Sequence, residues 1–158
     1  KLKVMQNHDF LHQGTAVANF IFNRLDYILW KECNDPKSLL SKIKEKDQKF
    51  QNEFKNFKFT ARNSVEHYYP QNPSDINLKL ADKDVDCFGN LCLITHSQNS
   101  SLNNQMPNDK KQDYLKSTHR SVSIKQMLMM TYEKWSEKEI KEHGEAMIKL
   151  LNQHICTT

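Results

Sequence analysis

Three of the four prolines in this chain stand in its central part: Pro70, Pro73 and Pro107. A proline fixes its own φ, lacks an N–H, and pushes the residue before it out of the α region. Long helices are therefore confined to the two ends, and an irregular centre lies between them. The ends agree. Val17, Ile21, Leu25 and Ile28 step by four, four and three, one face of a helix that Phe20 and Leu29 widen. Asn34, Asp35 and Pro36 end it. Leu39, Leu40, Ile43, Phe50, Phe54 and Phe57 predict a second helix with a charged, solvated side. Near the other end, Ile124, Met127, Leu128 and Thr131 form a short apolar stripe, and the run MLMM reads as core. Ser136 and Glu139 form a capping box that opens a last helix through Ile140, Met147, Ile148 and Leu151.

The centre has a different period. Phe57, Phe59 and Ala61 alternate with Lys58, Thr60 and Arg62, predicting a strand from about there into Val65. A polar loop spans Asn72 to Asp86, with Pro73, Asn77 and four aspartates; long loops inside compact domains are often functional. Leu91, Leu93 and Thr95 alternate around Cys92 and Ile94, a second strand. From Gln98 to about Lys116 the chain turns polar and partly helical. The centre thus reads strand, long loop, strand, helix.

Composition bounds the function classes. The chain has 158 residues, 37% of them hydrophobic and 9% aromatic, enough for one domain with a real core. Its 23 basic and 19 acidic residues permit a nucleic-acid partner without demanding one. Cys33, Cys87, Cys92 and Cys156 form no CxxC pair, so no structural zinc is expected, and scattered single cysteines suit a reducing cytoplasm. No apolar run approaches the ~20 residues of a membrane span. The chain begins at Lys1 rather than Met, and a piece of a longer protein is expected.

Glu66, His67, Asn90, His96, Asn99, Asn103, Asn104, Lys110 and Lys111 cluster on the central unit. A histidine at a strand end can serve as a general base near neutral pH. A carboxylate and an amide oxygen are hard ligands that suit Mg²⁺ or Mn²⁺, which keeps waters and takes substrate phosphate. Lysines on the following helix can meet a phosphate backbone. That combination describes a phosphodiesterase, with a base to activate water and a cation to steady the phosphate. His8 and His12 have i, i+4 spacing but no third ligand, and read as surface histidines.

The stretches VEHYYPQN and GNLCLITHSQNSSLNNQMPNDKK, in that order, resemble the His-Me finger (HNH) nucleases. They resemble most closely the nuclease domain at the C-terminus of GmrSD-type modification-dependent restriction enzymes. The residues that carry the likeness are Val65-Glu66-His67 with Pro70-Gln71, then Gly89-Asn90-Leu91 with Leu93, then Asn99, Leu102, Asn104 and Lys110. Tyr114, Trp135 and Ile140 follow in the family's order, so the likeness runs from about Arg62 to Leu151.

The resemblance implies an α+β fold, a mostly helical domain built around a small ββα-metal core at 61–116. An N-terminal helical segment at 1–60 and C-terminal helices at 117–158 would pack on it. It implies a catalytic His67 taking a proton from the attacking water, and Asn90 pinning the loop that holds it. Glu66 and Asn99 become the ligands of a Mg²⁺ or Mn²⁺ ion. Glu66 is longer than the usual Asp and has a second role open to it, orienting His67. Asn90 can equally be a turn-former beside Gly89, and Asn99 a helix cap. Lys110 and Lys111 are candidates for phosphate or DNA contact, with a structural ion pair the alternative for Lys110. His96, Asn103 and Asn104 are candidate site-lining residues.

The implied partners are DNA, including modified phage DNA, and a ParB-like nucleotide-hydrolysing domain in the same protein or a partner subunit. The implied setting is the bacterial cytoplasm. Two alternatives stand beside this reading: an inactive nucleic-acid-binding or protein-interaction module that keeps the fold, and an RNase.

Overall fold

The computed structural model describes residues 9–38, 40, 48–96, 98, 104–118 and 121–154. Two 3-10 turns, Asp9–Leu11 and Gly14–Ala16, lead into helix α1, Asn19–Asn34. Ile21, Phe22, Leu25, Ile28, Leu29 and Cys33 fill its buried face. It stops as expected: Asp35 is extended, with φ −80 and ψ 117, because Pro36 follows. Phe20 departs from the reading above and is 70% exposed. Seven residues before Tyr27, it shares that residue's outer face and not the core-facing stripe.

Helix α2 is Gln48–Lys55, with Phe50 and Phe54 buried; Leu39 and Ile43 of the expected second helix lie outside the described residues. The expected strand begins late. β1 is Ser64–His67, and Phe57 and Phe59 do not belong to it. Their rings meet edge to face at 4.9 Å, and Phe59 packs on Tyr27 and Trp30 of α1. The alternation at 57–61 is that of an aromatic cluster against a helix, with no strand paired to it among the described residues.

β1 pairs antiparallel with β2, Leu91–Ile94, in the register Ser64↔Ile94 to His67↔Leu91. The polar loop between them carries a 3-10 turn at Ile76–Leu78, a one-turn helix α3 at Asp82–Val85, and a 3-10 turn at Phe88–Asn90. All four residues of β2 are buried, because α1 and a C-terminal helix pack on a strand already paired with β1. Helix α4, Pro107–Lys116, opens on its proline, the position where a missing N–H is harmless.

That C-terminal helix is α5, Ile124–Met130, with every side chain buried, so the MLMM run is core. Ser123 caps it by accepting from Gln126 N at 3.2 Å. The last helix, α6 at Glu137–Gln153, starts at the expected capping box: the Glu139 carboxylate accepts from Ser136 N at 2.9 Å.

One close approach fixes α6 against the hairpin. Gly89 in the turn before β2 faces Gly144 of α6, and a Cβ on Gly89 would lie 1.9 Å from the Ile140 carbonyl oxygen. Two of the chain's three glycines are thus spent on one backbone contact. The result is an α+β domain, a two-stranded antiparallel sheet among helices. After β2 the chain is helical at His96 and Gln98, the only residues described between Thr95 and Asn104. Among the described residues no helix is long and apolar enough to cross a membrane.

Candidate active site

The site grows from the place where β1 ends. His67 is the last strand residue, and the chain then leaves the sheet through Tyr68, Tyr69 and Pro70. Backbone polar groups at such an exit lose their ladder partners and need others. Asn90 supplies them. Tyr68 N donates to the Asn90 carbonyl at 2.8 Å, and Tyr69 N to the Asn90 side-chain oxygen at 2.7 Å. Asn90 Nδ2 donates to the carbonyls of Tyr69 at 3.0 Å and Val85 at 2.9 Å. Trp135 Nε1 donates to Asn90 Oδ1 at 3.1 Å. The amide is fully buried and has no capacity left over.

Lys110 completes the frame from α4. Its ammonium donates to the His67 carbonyl at 2.7 Å and the Tyr68 carbonyl at 3.1 Å. It is buried, and that burial lowers its pKa against the opposing pull of the Glu66 charge. Lys125 does the same for the turn before β2, donating to the Gly89 carbonyl at 3.1 Å. Burial pushes its pKa down to about 8 although Cys92 and Asp26 pull it up. Asp26, on α1, accepts from Lys125 N at 2.8 Å, and burial pushes its own carboxyl up to about 6.

Against this frame lies an open cleft of about 320 Å³, lined by Thr15, Val65, Glu66, His67, Gln71, Asn72 and Asn104. This end of the strand borders the cleft through three consecutive residues, Val65, Glu66 and His67. His67 Nε2 lies 2.7 Å from Asp86 Oδ1, with the Asp86 side chain 41% exposed and that of His67 10%. A carboxylate only accepts, so Nε2 carries the proton and Nδ1 is the nitrogen that can take one up. Gly14, at φ +55, lets the N-terminal segment pass close to Asp86: a Cβ there would stand 3.2 Å from Asp86 Cγ.

The cleft's donors are a carboxylate, amide oxygens and a hydroxyl. That hard-oxygen set fits Mg²⁺ or Mn²⁺, which need few protein ligands, better than a thiophilic metal. Among the described residues no three His, Cys, Asp or Glu side chains are grouped so that they could hold a metal ion by themselves. A larger cavity of about 580 Å³, lined in part by His143, Tyr132 and Met147, shares no residue with the cleft. His143 is packed against Tyr132 and Trp135, and burial holds its pKa well below the usual value. His67 lines the smaller cleft and not this cavity.

The family model of the GmrSD restriction endonucleases, C-terminal domain, matches residues 5–150. The chain belongs to that family. No curated protein and no solved structure matches it.

In this GmrSD C-terminal domain the residues singled out by sequence separate into groups. Glu66, His67 and Asn104 meet at the cleft. Asn90 pins the strand exit as the resemblance implies, and its sealed amide acts by position and not on a substrate. Lys110 is a correction. It cannot reach a DNA phosphate while its ammonium is buried on two carbonyls, and no carboxylate contact pairs it among the described residues. Lys111 is half-buried and lines a neighbouring depression beside Tyr68 and Asn108. His96 is exposed and does not line the cleft. Asn99 and Asn103 lie outside the described residues. Asp86 as the partner of His67, and Thr15, Gln71 and Asn72 as cleft lining, appear only in the folded chain. The one available signal was the aspartate-rich loop, which points to a region and not to a residue.

Proposed function

We propose that this domain is a metal-dependent endonuclease of the His-Me finger type that hydrolyses DNA phosphodiester bonds. It would be the effector of a bacterial modification-dependent restriction protein that cuts phage DNA in the cytoplasm. A ParB-like nucleotide-hydrolysing domain, in the same chain or a partner, would supply targeting. The observation that carries the reading is the His67–Asp86 pair at 2.7 Å, with His67 and Glu66 lining one polar cleft in a restriction endonuclease family.

In the proposed reaction His67 Nδ1 takes a proton from a water whose oxygen attacks phosphorus. The bond from phosphorus to the 3′ oxygen breaks, and that oxygen leaves with its electron pair and is protonated from solvent. Asp86 accepts the Nε2–H, holds the ring and its tautomer, and stabilises the imidazolium that forms. Because Asp86 takes the orienting role, the Glu66 carboxylate is left for the cation, together with Asn99. A bound Mg²⁺ or Mn²⁺ would supply charge neutralisation at the phosphate and the leaving oxygen. Asn90 and Lys110 act through the backbone, fixing the strand exit that aims His67. Lys111 is the candidate for phosphate contact.

The test is incubation of plasmid DNA, modified phage DNA and RNA with the protein in Mg²⁺, in Mn²⁺ and in EDTA. Cleavage of DNA in either metal and none in EDTA is expected. Intact DNA in both metals, with the protein folded by circular dichroism, overturns the proposal.

A further inference from the structure

The outer face of α1 does something the nuclease chemistry does not use. Phe20, Arg24, Tyr27 and Lys31 stand four, three and four residues apart, which places them on one line along the helix. All four are exposed, Phe20 at 70% and Tyr27 at 54%. Phe59, 55% exposed, lies beside this line with its ring 6.2 Å from Tyr27 and 5.8 Å from Trp30. Aromatic rings left in water in such number mark an interaction surface.

The charge around these rings says what covers them. No acidic side chain of α1 is exposed: Asp26 is buried, and Glu32 is half-buried and paired with His154 at 3.2 Å. The cations Arg24 and Lys31 alternate with the rings. Arg24 makes its hydrogen bond to a carbonyl, that of His154, at 3.1 Å, so its charge is not neutralised there. A polyanion whose apolar rings are accessible matches this alternation; a duplex, whose base faces are stacked away, does not.

The line also begins beside the cleft. Asn19, next to Phe20, donates from its side chain to the Asn63 carbonyl at 3.0 Å, immediately before β1, and Thr15 lines the cleft itself. From Phe20 to Lys31 the line runs ~16 Å along the helix.

We propose that this face binds single-stranded nucleic acid, stacking unpaired bases on Tyr27 and Phe59 and holding their phosphates with Arg24 and Lys31. The proposal rests on the nuclease reading only in that the bound strand would lead from the cleft.

The experiment is fluorescence anisotropy in EDTA, with a labelled mixed-sequence oligodeoxynucleotide presented single-stranded and as a duplex. The full chain, Tyr27→Ala combined with Phe59→Ala, Tyr27→Phe and Lys31→Gln are compared. The chain is expected to bind the single strand more tightly than the duplex. The double alanine variant, with an unchanged melting curve, should lose about tenfold or more in single-strand affinity, while Tyr27→Phe keeps it. Lys31→Gln should flatten the salt dependence by roughly 0.7 in log–log slope. A duplex bound as well as the single strand overturns the proposal, and so does a double variant that binds like the parent. Absence of binding to either DNA also overturns it, and leaves the face to a protein partner. Binding that behaves as expected in a protein that cuts no DNA would sink the nuclease reading alone.

Discussion

Two regions built from the same short motif stretches behave oppositely. Around the strand exit, Asn90 and Lys110 are buried and their polar atoms are committed to backbone carbonyls and amides. A few residues away, Glu66, Gln71, Asn72 and Asn104 line an open cleft, and only His67 reaches from the frame into it, tied to an exposed carboxylate. A polar residue that carries a motif is thus of two kinds. One kind satisfies a strand end that has left its sheet, and its loss is felt in folding. The other faces solvent with chemistry to offer, and its loss is felt in rate.

The largest effect expected of the frame comes from its one steric constraint. Gly89→Ala drives a methyl into the Ile140 carbonyl, 1.9 Å away on a helix backbone that cannot swing aside. A loss of more than about 4 kcal/mol, read as failure to fold by circular dichroism, is expected. Asn90→Ala comes next. It strands the Tyr69 amide and carbonyl, the Val85 carbonyl and the Trp135 N–H in the interior, at roughly 3–5 kcal/mol in denaturant unfolding.

The buried carboxyl of Asp26 gives a pH signature. Its pKa is raised from 3.8 to about 6 by burial, so the folded state holds a proton that the unfolded chain has released. The stability this contributes is present below about pH 4 and lost as pH rises through about 6. Asp26→Asn should therefore gain on the parent by on the order of 2–3 kcal/mol between those limits, measured as the difference of two urea titrations at each pH. A constant difference across that range would contradict the burial of a charge there. The smallest effect on folding belongs to the cleft. Asp86→Asn should change stability by less than about 1 kcal/mol, since that carboxylate is partly exposed. The same change should slow DNA cleavage about 10- to 100-fold, because an amide oxygen can still accept the Nε2–H but carries no charge to stabilise the imidazolium. An equal fall in stability would merge the two regions and break the distinction.

Much of the fold was legible in the sequence because helices announce themselves by period. The Ile21 to Leu29 stripe, the Pro36 stop and the Ser136–Glu139 box each have a local cause and stand where expected, while Val17 falls before the helix starts. Two readings failed for want of a tertiary cause. The alternation at 57–61 belongs to rings stacked on α1, and Phe20 faces water because its helical line is that of Tyr27 and not of Leu25. The site divides in the same way. His67 and Glu66 are visible as a pair on a strand end. Asp86 is 19 residues from His67 in a loop without period, so only the folded chain brings them together. Nothing local marks Lys110 as buried, since it lies on a strongly polar helix beside Lys111.

The account turns on His67 as the base in the cleft. Its most direct test is the rate of plasmid nicking in Mg²⁺ or Mn²⁺ by the parent and by His67→Ala, with melting curves recorded on the same preparations. A fall of about 10²- to 10⁴-fold with a melting temperature close to the parent's is predicted. Nicking at the parent rate by the alanine variant would contradict it, and would move the chemistry out of this cleft.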